Sequence, residues 1–211
     1  VRVVLLGPPG AGKGTQAVRL ASERGLPHIA TGDMLREAVA RGEPVGRRAK
    51  EYMDRGALVP DGVMLELVRL RLARPDARNG FVLDGFPRTV PQAEGLAQIT
   101  ALDAVVLFEI AESVLVERLS GRRVCSDTSC GATYHVRFAP PAREGTCDRC
   151  GSALTQRSDD REEAVRRRLA LFREQTAPLE AYYETRGLLR RIAAEGTPDA
   201  VARALAAVLP R

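Results

Sequence analysis

Cysteine is missing from this chain except within residues 125–150, where all four of its cysteines fall, and lysine occurs only at Lys13 and Lys50. Aromatic residues are 4% of the 211, which argues against a nucleic-acid surface, where basic patches are interleaved with stacking rings. No apolar run approaches the about 20 residues that cross a membrane. The opening VRVVLLG has neither the apolar length nor the small-residue cleavage site of a secretory signal. A cytoplasmic protein with no membrane partner is therefore expected. In that reducing compartment, gathered cysteines favour a metal over disulfides. Internal repeats and low-complexity tracts are also lacking.

What is present is ordinary for a globular protein: 45% hydrophobic and 28% charged residues, on a chain long enough for one buried core with inserted subdomains. The net charge of +5 admits three readings: solvated charge, a nucleic-acid surface, or a site for polyanionic small molecules. Almost all of the basic residues are arginine, which singles out Lys13.

Apolar runs at VRVVLLG, FVLDGF (81–86) and AVVLFEI (104–110) read as buried strands, with weaker candidates at 28–31 and 188–194. Helical periodicity falls at 13–24, 32–41, 43–55, 61–73, 91–99, 112–120 and 198–209. Another long amphipathic helix is expected over 160–186, with Asp159 and Asp160 as charges at its start. Strands alternating with helices predict an α/β protein with a parallel sheet covered on both faces. Between 121 and 158 the helical period vanishes and Cys, Gly, Pro, Thr and Asp punctuate the chain, so a small irregular or β subdomain is inserted there.

GPPGAGKGTQ (7–16) lies between the first strand and the first helix. Glycines let the backbone wrap closely, so that N–H groups of Gly10, Ala11, Gly12, Lys13, Gly14 and Thr15 and the helix N-terminus meet phosphate oxygens. Lys13 reaches the terminal phosphates as a point charge. The general pattern GxxxxGK[ST] is altered: Gly14 follows the lysine and the hydroxyl comes one residue later, at Thr15. Magnesium is then held mostly through water and acidic side chains.

This loop resembles that of the adenylate kinases and their nucleoside monophosphate kinase relatives. TGDMLR (31–36), GALVPDGV (56–63), LDGFPRTVPQA (83–93), GRRVC (121–125), YHVRFAPP (134–141), RSDDREEAVRRRL (157–169) and TAPLEAYY (176–183) follow in that family's order. The resemblance covers nearly the whole chain and is closest to the long, lid-bearing adenylate kinases. It implies a P-loop three-layer fold with a five-stranded parallel sheet flanked by helices. The core would be 1–30, 60–120 and 159–211, the AMP-binding helical segment 31–59, and a zinc-bound β lid 121–158. It implies Mg-dependent phosphoryl transfer from ATP to AMP giving two ADP, in a monomer with no nucleic-acid partner.

Two polyphosphates repel, and their transfer needs positioning and charge stabilisation more than covalent chemistry. Planar guanidinium forks suit that task. By resemblance, Arg36 and Arg88 hold the acceptor phosphate, Arg122 and Arg157 reach the donor phosphates from the lid and its hinge, and Arg168 closes the ring. Asp84, at the end of a strand, matches the carboxylate that organises magnesium-bound water, with Asp33 and Asp159 as neighbours in that network. Thr31 and Gln92 match contacts to the acceptor base, with Ala57, Leu58, Val59, Gly85, Phe86 and Pro87 around it. On the donor side, Arg118 matches a residue that stacks on adenine, and the backbones of Thr133, Tyr134 and Pro198 complete the contact. The Tyr134 side chain reads as lid core more than as a platform for the base. Gly121 and Asp159–Asp160 are the expected hinges.

Cys125, Cys130, Cys147 and Cys150 are spaced C-x4-C, sixteen residues, C-x2-C. Four thiolates in two knuckles suit tetrahedral, structural Zn2+ with no open position. Free thiols or a disulfide pair are the alternative. The family's first knuckle resembles CxxCGxxYH; here CSDTSCGATYH is two residues longer, which makes Asp127 a rival ligand to Cys130. Two further functional readings remain at this stage: a kinase for UMP or CMP, or with GTP as donor, and a P-loop nucleic-acid-binding protein with a zinc ribbon.

Overall fold

The computed structural model describes residues 1–55 and 57–210; Gly56, in the motif GALVPDGV, and Arg211, the last residue of the expected core, lie outside the described residues. Five strands form one parallel sheet: β1 (Arg2–Leu6), β2 (His28–Ala30), β3 (Phe81–Asp84), β4 (Ala104–Glu109) and, after three lid strands, β8 (Leu189–Ala193). Their order is β2-β3-β1-β4-β8, with Leu5 of β1 in register with Asp84 of β3. Both weak strand candidates thus join the sheet.

Successive residues of a strand face opposite sides, and the core splits accordingly. Val3, Leu5, Val106 and Phe108 face one side, against α1 (Lys13–Arg24), α6 (Glu112–Ser120), α7 (Glu162–Leu171) and α9 (Pro198–Val208). Val4, Leu6, Val105 and Leu107 face the other, against α2 (Thr31–Ala40), α3 (Pro44–Asp54), α4 (Asp61–Leu72), α5 (Val90–Ile99) and α8 (Leu179–Glu184). A sheet buried on both faces explains the unbroken apolar strands. The chain reaches β2 and β3 on one side of β1 and β4 on the other, so the crevice where such sheets hold ligands lies at the C-terminal end of β1.

The lid strands β5 (Arg122–Cys125), β6 (Thr133–His135) and β7 (Leu154–Thr155) form a separate antiparallel sheet in the order β6-β5-β7. The expected single helix over 160–186 is not formed. A 3-10 turn covers Ser158–Asp160, α7 ends at Leu171, a wide π-type turn spans Phe172–Thr176, and α8 starts only at Leu179. Pro178 has no N–H to continue the ladder. The Thr176 hydroxyl donates to the Arg88 carbonyl at 2.8 Å, tying this break to the site.

Candidate active site

The loop after β1 turns through two left-handed glycines, Gly10 (φ +86°) and Gly12 (φ +89°). A Cβ on Gly10 would stand 2.9 Å from Cγ of Leu119, so only glycine both takes this conformation and lets the loop pack on α6. Lys13 opens α1, and its Nζ donates to the carbonyls of Gly7 (2.7 Å) and Pro8 (2.8 Å). An ammonium has three N–H donors, so one remains for a phosphate oxygen. Burial pushes Lys13 down to about 8; Asp84 opposes this, while Arg88, Arg168 and Arg122 add to it.

Asp84 ends β3, and its Oδ2 would be 3.4 Å from a Cβ at Gly14. The residue that departs from the general loop pattern therefore lies against the carboxylate. Thr15, whose hydroxyl follows one position later, is exposed. Sequence reasoning passed over His28, whose buried Nε2 has no hydrogen-bond partner and lies 4.0 Å from Asp84 Oδ2.

The arginines converge from three elements and two loops. Arg122 of β5 makes a two-pronged pair with Asp160, Nε to Oδ2 at 2.8 Å and Nη2 to Oδ1. Arg168 of α7 donates to the Asp159 carbonyl at 2.9 Å and pairs with the carboxylates of Asp159 (3.0 Å) and Asp160 (3.3 Å). Arg36 of α2 and Arg157 share Asp33, at 2.6 and 3.3 Å. Arg88 places Nε on the Gly85 carbonyl at 2.8 Å. Asp33 and Asp159, expected beside Asp84 in the magnesium-water network, pair with these arginines here. Burial raises both acids but is outweighed by the guanidinium groups, so both lie below the usual carboxylate range. Asp160, expected as a helix-start charge, is fully buried between Arg122 and Arg168.

Lys13, Arg36, Arg88, Arg122, Arg157 and Arg168 face Asp33, Asp84, Asp159 and Asp160, an excess of two positive charges. Arg88 is brought down to about 10 by burial and then Arg168; Arg157 is brought down to about 10 by burial, Arg36 and Arg122. Cations crowded this far are what an incoming polyanion relieves. Phosphate stabilises the ammonium form of Lys13, so binding raises its pKa and draws in a proton. Tripolyphosphate binding should take up about 0.1 proton on Lys13 at pH 7 and about 0.7 at pH 8.5, measured by calorimetry in buffers of different ionisation enthalpy. Uptake at pH 8.5 no greater than in Lys13→Arg, whose guanidinium stays charged and so corrects for protons the ligand itself releases, would contradict this placement.

A cleft opens beside the cluster, lined by Thr31, Arg36, Ala57, Leu58, Val59, Arg88, Gln92 and Arg168 from the expected set. Leu35, Met53 and Met64 also line it; they give it apolar walls that the sequence reading missed. Phe86 is buried in the core, and Gly85 lies against the cleft wall, where a Cβ would stand 3.1 Å from Thr31 Oγ1 and 3.4 Å from Arg88 Nη2. Gln92 is 1% exposed. Its Oε1 accepts from the Arg88 N–H (2.8 Å) and its Nε2 donates to Asp61 (2.7 Å). These partners fix which end is oxygen. One N–H and one lone pair remain, the pair an adenine edge requires. Thr89 caps α5 by accepting from the Gln92 N–H, so the cap also sets the amide.

On the donor side, Arg118 donates to the Ala194 carbonyl at 3.1 Å, and the Pro198 carbonyl accepts from Gln16 Nε2 at 2.8 Å. The turn between β8 and α9 thus borders α1 and α6. Thr133 is exposed on β6, and Tyr134 packs into the lid core beside Cys125, Ala132 and Cys147.

The four cysteine sulfurs lie within 4.8 Å of one another, with Cys125–Cys150 at 3.3 Å and Cys130–Cys147 at 3.7 Å. A tetrahedron of sulfurs around Zn2+ has edges of about 3.8 Å, so the cluster has the right size. Backbone N–H groups of Asp127, Ala132 and Ser152 favour the thiolates of Cys125, Cys130 and Cys150, but burial and the neighbouring sulfurs still push Cys125 and Cys130 up, while Cys150 is drawn down. Burial raises Cys147, but hydrogen bonds from Tyr134 and the N–H groups of Cys150 and Arg149 outweigh it and bring it down to about 6. Asp127 accepts from the N–H and hydroxyl of Ser129, at 2.9 and 2.6 Å. That commits its carboxylate to closing the longer knuckle, and Cys130 completes the group of four close sulfurs.

A family model described as Adenylate kinase matches residues 5–188. The chain is 54% identical to the protein named Adenylate kinase from Moorella thermoacetica, over 100% of this chain and 99% of that one. Its counterpart of the same name from Symbiobacterium thermophilum is 54% identical over 95% and 94%, and that from Syntrophobacter fumaroxidans 50% over 99% and 100%.

Proposed function

The chain belongs to the adenylate kinase family, and from that premise we propose that this site moves a phosphoryl group from ATP to AMP, reversibly, giving two ADP. One observation carries the reading. Arg88 and Arg168 line the cleft that ends on Gln92 and also bear electrostatically on Lys13 in the phosphate loop. Acceptor and donor phosphates therefore meet over the same guanidinium groups.

The acceptor enters between Leu35, Met53 and Met64, with its base edge on Gln92 and Thr31 and its phosphate on Arg36 and Arg88. The donor polyphosphate lies on the loop with Lys13, and Arg122, Arg157 and Arg168 take up the charge that spreads over the transferred group. The acceptor oxygen is already anionic near neutral pH, so no general base is required. Magnesium arrives with ATP as part of the substrate, and Asp84 accepts hydrogen bonds from its water shell.

The lid, 121–158, and the acceptor segment, 31–59, close on the remaining core from hinges at Gly121 and Asp159–Asp160 and exclude water. Contacts between Asp33 and Arg157 and between Ser158 and Asp54 already link the acceptor segment to the lid hinge. The four cysteines hold structural zinc, which sets the lid's shape and supplies no chemistry. A thiolate cluster of this kind fits a reducing, cytoplasmic setting. One chain supplies both subsites, which fits a monomer. Among the described residues no helix is long and apolar enough to cross a membrane.

Mixing the protein with MgATP and AMP tests the reaction. Two ADP should form per ATP consumed, without inorganic phosphate; phosphate release in step with ATP loss would replace the kinase by a hydrolase.

A further inference from the structure

Tyr134 sits on β6, just after the first knuckle, while Cys147 opens the second. The backbone N–H of Asp148 donates to Tyr134 Oη at 2.8 Å. The same Oη lies 3.6 Å from Cys147 Sγ, within hydrogen-bond reach for sulfur. A backbone N–H can only donate and a metal-bound thiolate can only accept, so these two partners leave the phenol hydroxyl one role: its proton points at the sulfur.

We propose that Tyr134 is an outer-shell positioning residue of the zinc site, donating an O–H···S hydrogen bond to Cys147 that ties the two knuckles together and tempers the thiolate's charge. This rests on the zinc reading above. Four thiolates around one Zn2+ carry a net charge of 2−, and the lid core around them is small and apolar. Each donor aimed at sulfur offsets part of that charge and fixes the ligand's orientation. The backbone donors are local to each knuckle, whereas the Tyr134 hydroxyl acts across them, thirteen residues apart in sequence. The hydroxyl is thereby committed to the lid, which leaves only the backbone at this position for a nucleotide.

The test uses the full chain. Zinc content of the wild type comes first: less than about 0.2 zinc per chain, in protein never exposed to chelator, would sink the zinc reading itself. With about one zinc bound, competition against a chromophoric chelator is compared between wild type and Tyr134→Phe. Loss of an outer-shell partner should weaken zinc binding about 10- to 100-fold. The cobalt-substituted proteins add a signature that loosened packing would not give. Without the hydrogen bond the sulfur donates more strongly, so the thiolate-to-cobalt charge-transfer band should move to longer wavelength. Incorporating 2,3-difluorotyrosine at position 134, a stronger donor of nearly the same shape, should move it to shorter wavelength and keeps the test open if Tyr134→Phe folds poorly. Zinc affinity within twofold of wild type and an unmoved band in both proteins would overturn the proposal.

Discussion

Replacing Arg88 by lysine should lower kcat for ATP–AMP transfer by a factor on the order of 10²–10³, and alanine should cost at least as much. Arg88 is held at three points: its N–H on Gln92 Oε1, its carbonyl under the Thr176 hydroxyl, and its Nε on the Gly85 carbonyl. That leaves four of the five guanidinium N–H donors, aimed as a fork from a fixed backbone into the cleft. Burial beside Arg168 holds its pKa down to about 10, so the charge is poorly compensated until phosphate arrives. A lysine keeps the charge but not the fork, and its point charge cannot grip two oxygens of the acceptor phosphate. The loss corresponds to about 3–4 kcal/mol of transition-state stabilisation. It should appear in the KM for AMP as well as in kcat, because Arg88 holds the acceptor phosphate before transfer and also sets its line of attack. Steady-state kinetics on a variant with an unchanged circular dichroism spectrum gives the answer. Rates within twofold of wild type would remove Arg88 from the transfer step.

Removing zinc, by chelation or by Cys147→Ser, should lower the thermal midpoint by roughly 10 °C through loss of the lid. The lid's buried apolar residues are Cys125, Ala132 and Cys147, with Cys130, Tyr134 and Leu154 partly buried around them. Its strands are four, three and two residues long. So small a core cannot offset the conformational entropy of the segment, and two of its buried residues are themselves the ligands. Arg122 is the first residue of β5, so the same loss should cut transfer rates by more than tenfold while the parallel sheet persists. Calorimetry should resolve an early transition absent from zinc-loaded protein. A midpoint within about 2 °C of wild type after complete metal removal would contradict a zinc-held lid.

The parallel sheet and the phosphate loop were legible because each rests on local signals: unbroken apolar strands, a glycine-rich turn, and a helix in the right order. The break in the 160–186 helix was missed because amphipathic periodicity runs through it. Pro178 was the signal present, and the pull of Thr176 on the Arg88 carbonyl is tertiary. Asp160 reads from sequence as a cap or charge at a helix start, since nothing local marks its partner Arg122, 38 residues away. Leu35, Met53 and Met64 look like ordinary helix-face core until the cleft is seen, although Leu35 lies one turn from Thr31 on α2. Gln16 reaches the Pro198 carbonyl across 182 residues, which no spacing could suggest. The longer knuckle raised Asp127 as a ligand; its own hydrogen bonds to Ser129 turn it inward.

We propose that the arginine-lined cleft that includes the Gln92 amide seats a monophosphate acceptor and selects adenine. Phosphoryl transfer from MgATP to AMP, GMP, CMP and UMP, assayed on one preparation of wild type and Gln92→Leu, tests it most directly. The free N–H and lone pair on Gln92 should give AMP a kcat/KM at least 10²-fold above the pyrimidine nucleotides, and leucine should erase about tenfold or more of that preference. Preference of the wild type for UMP or CMP over AMP would contradict it.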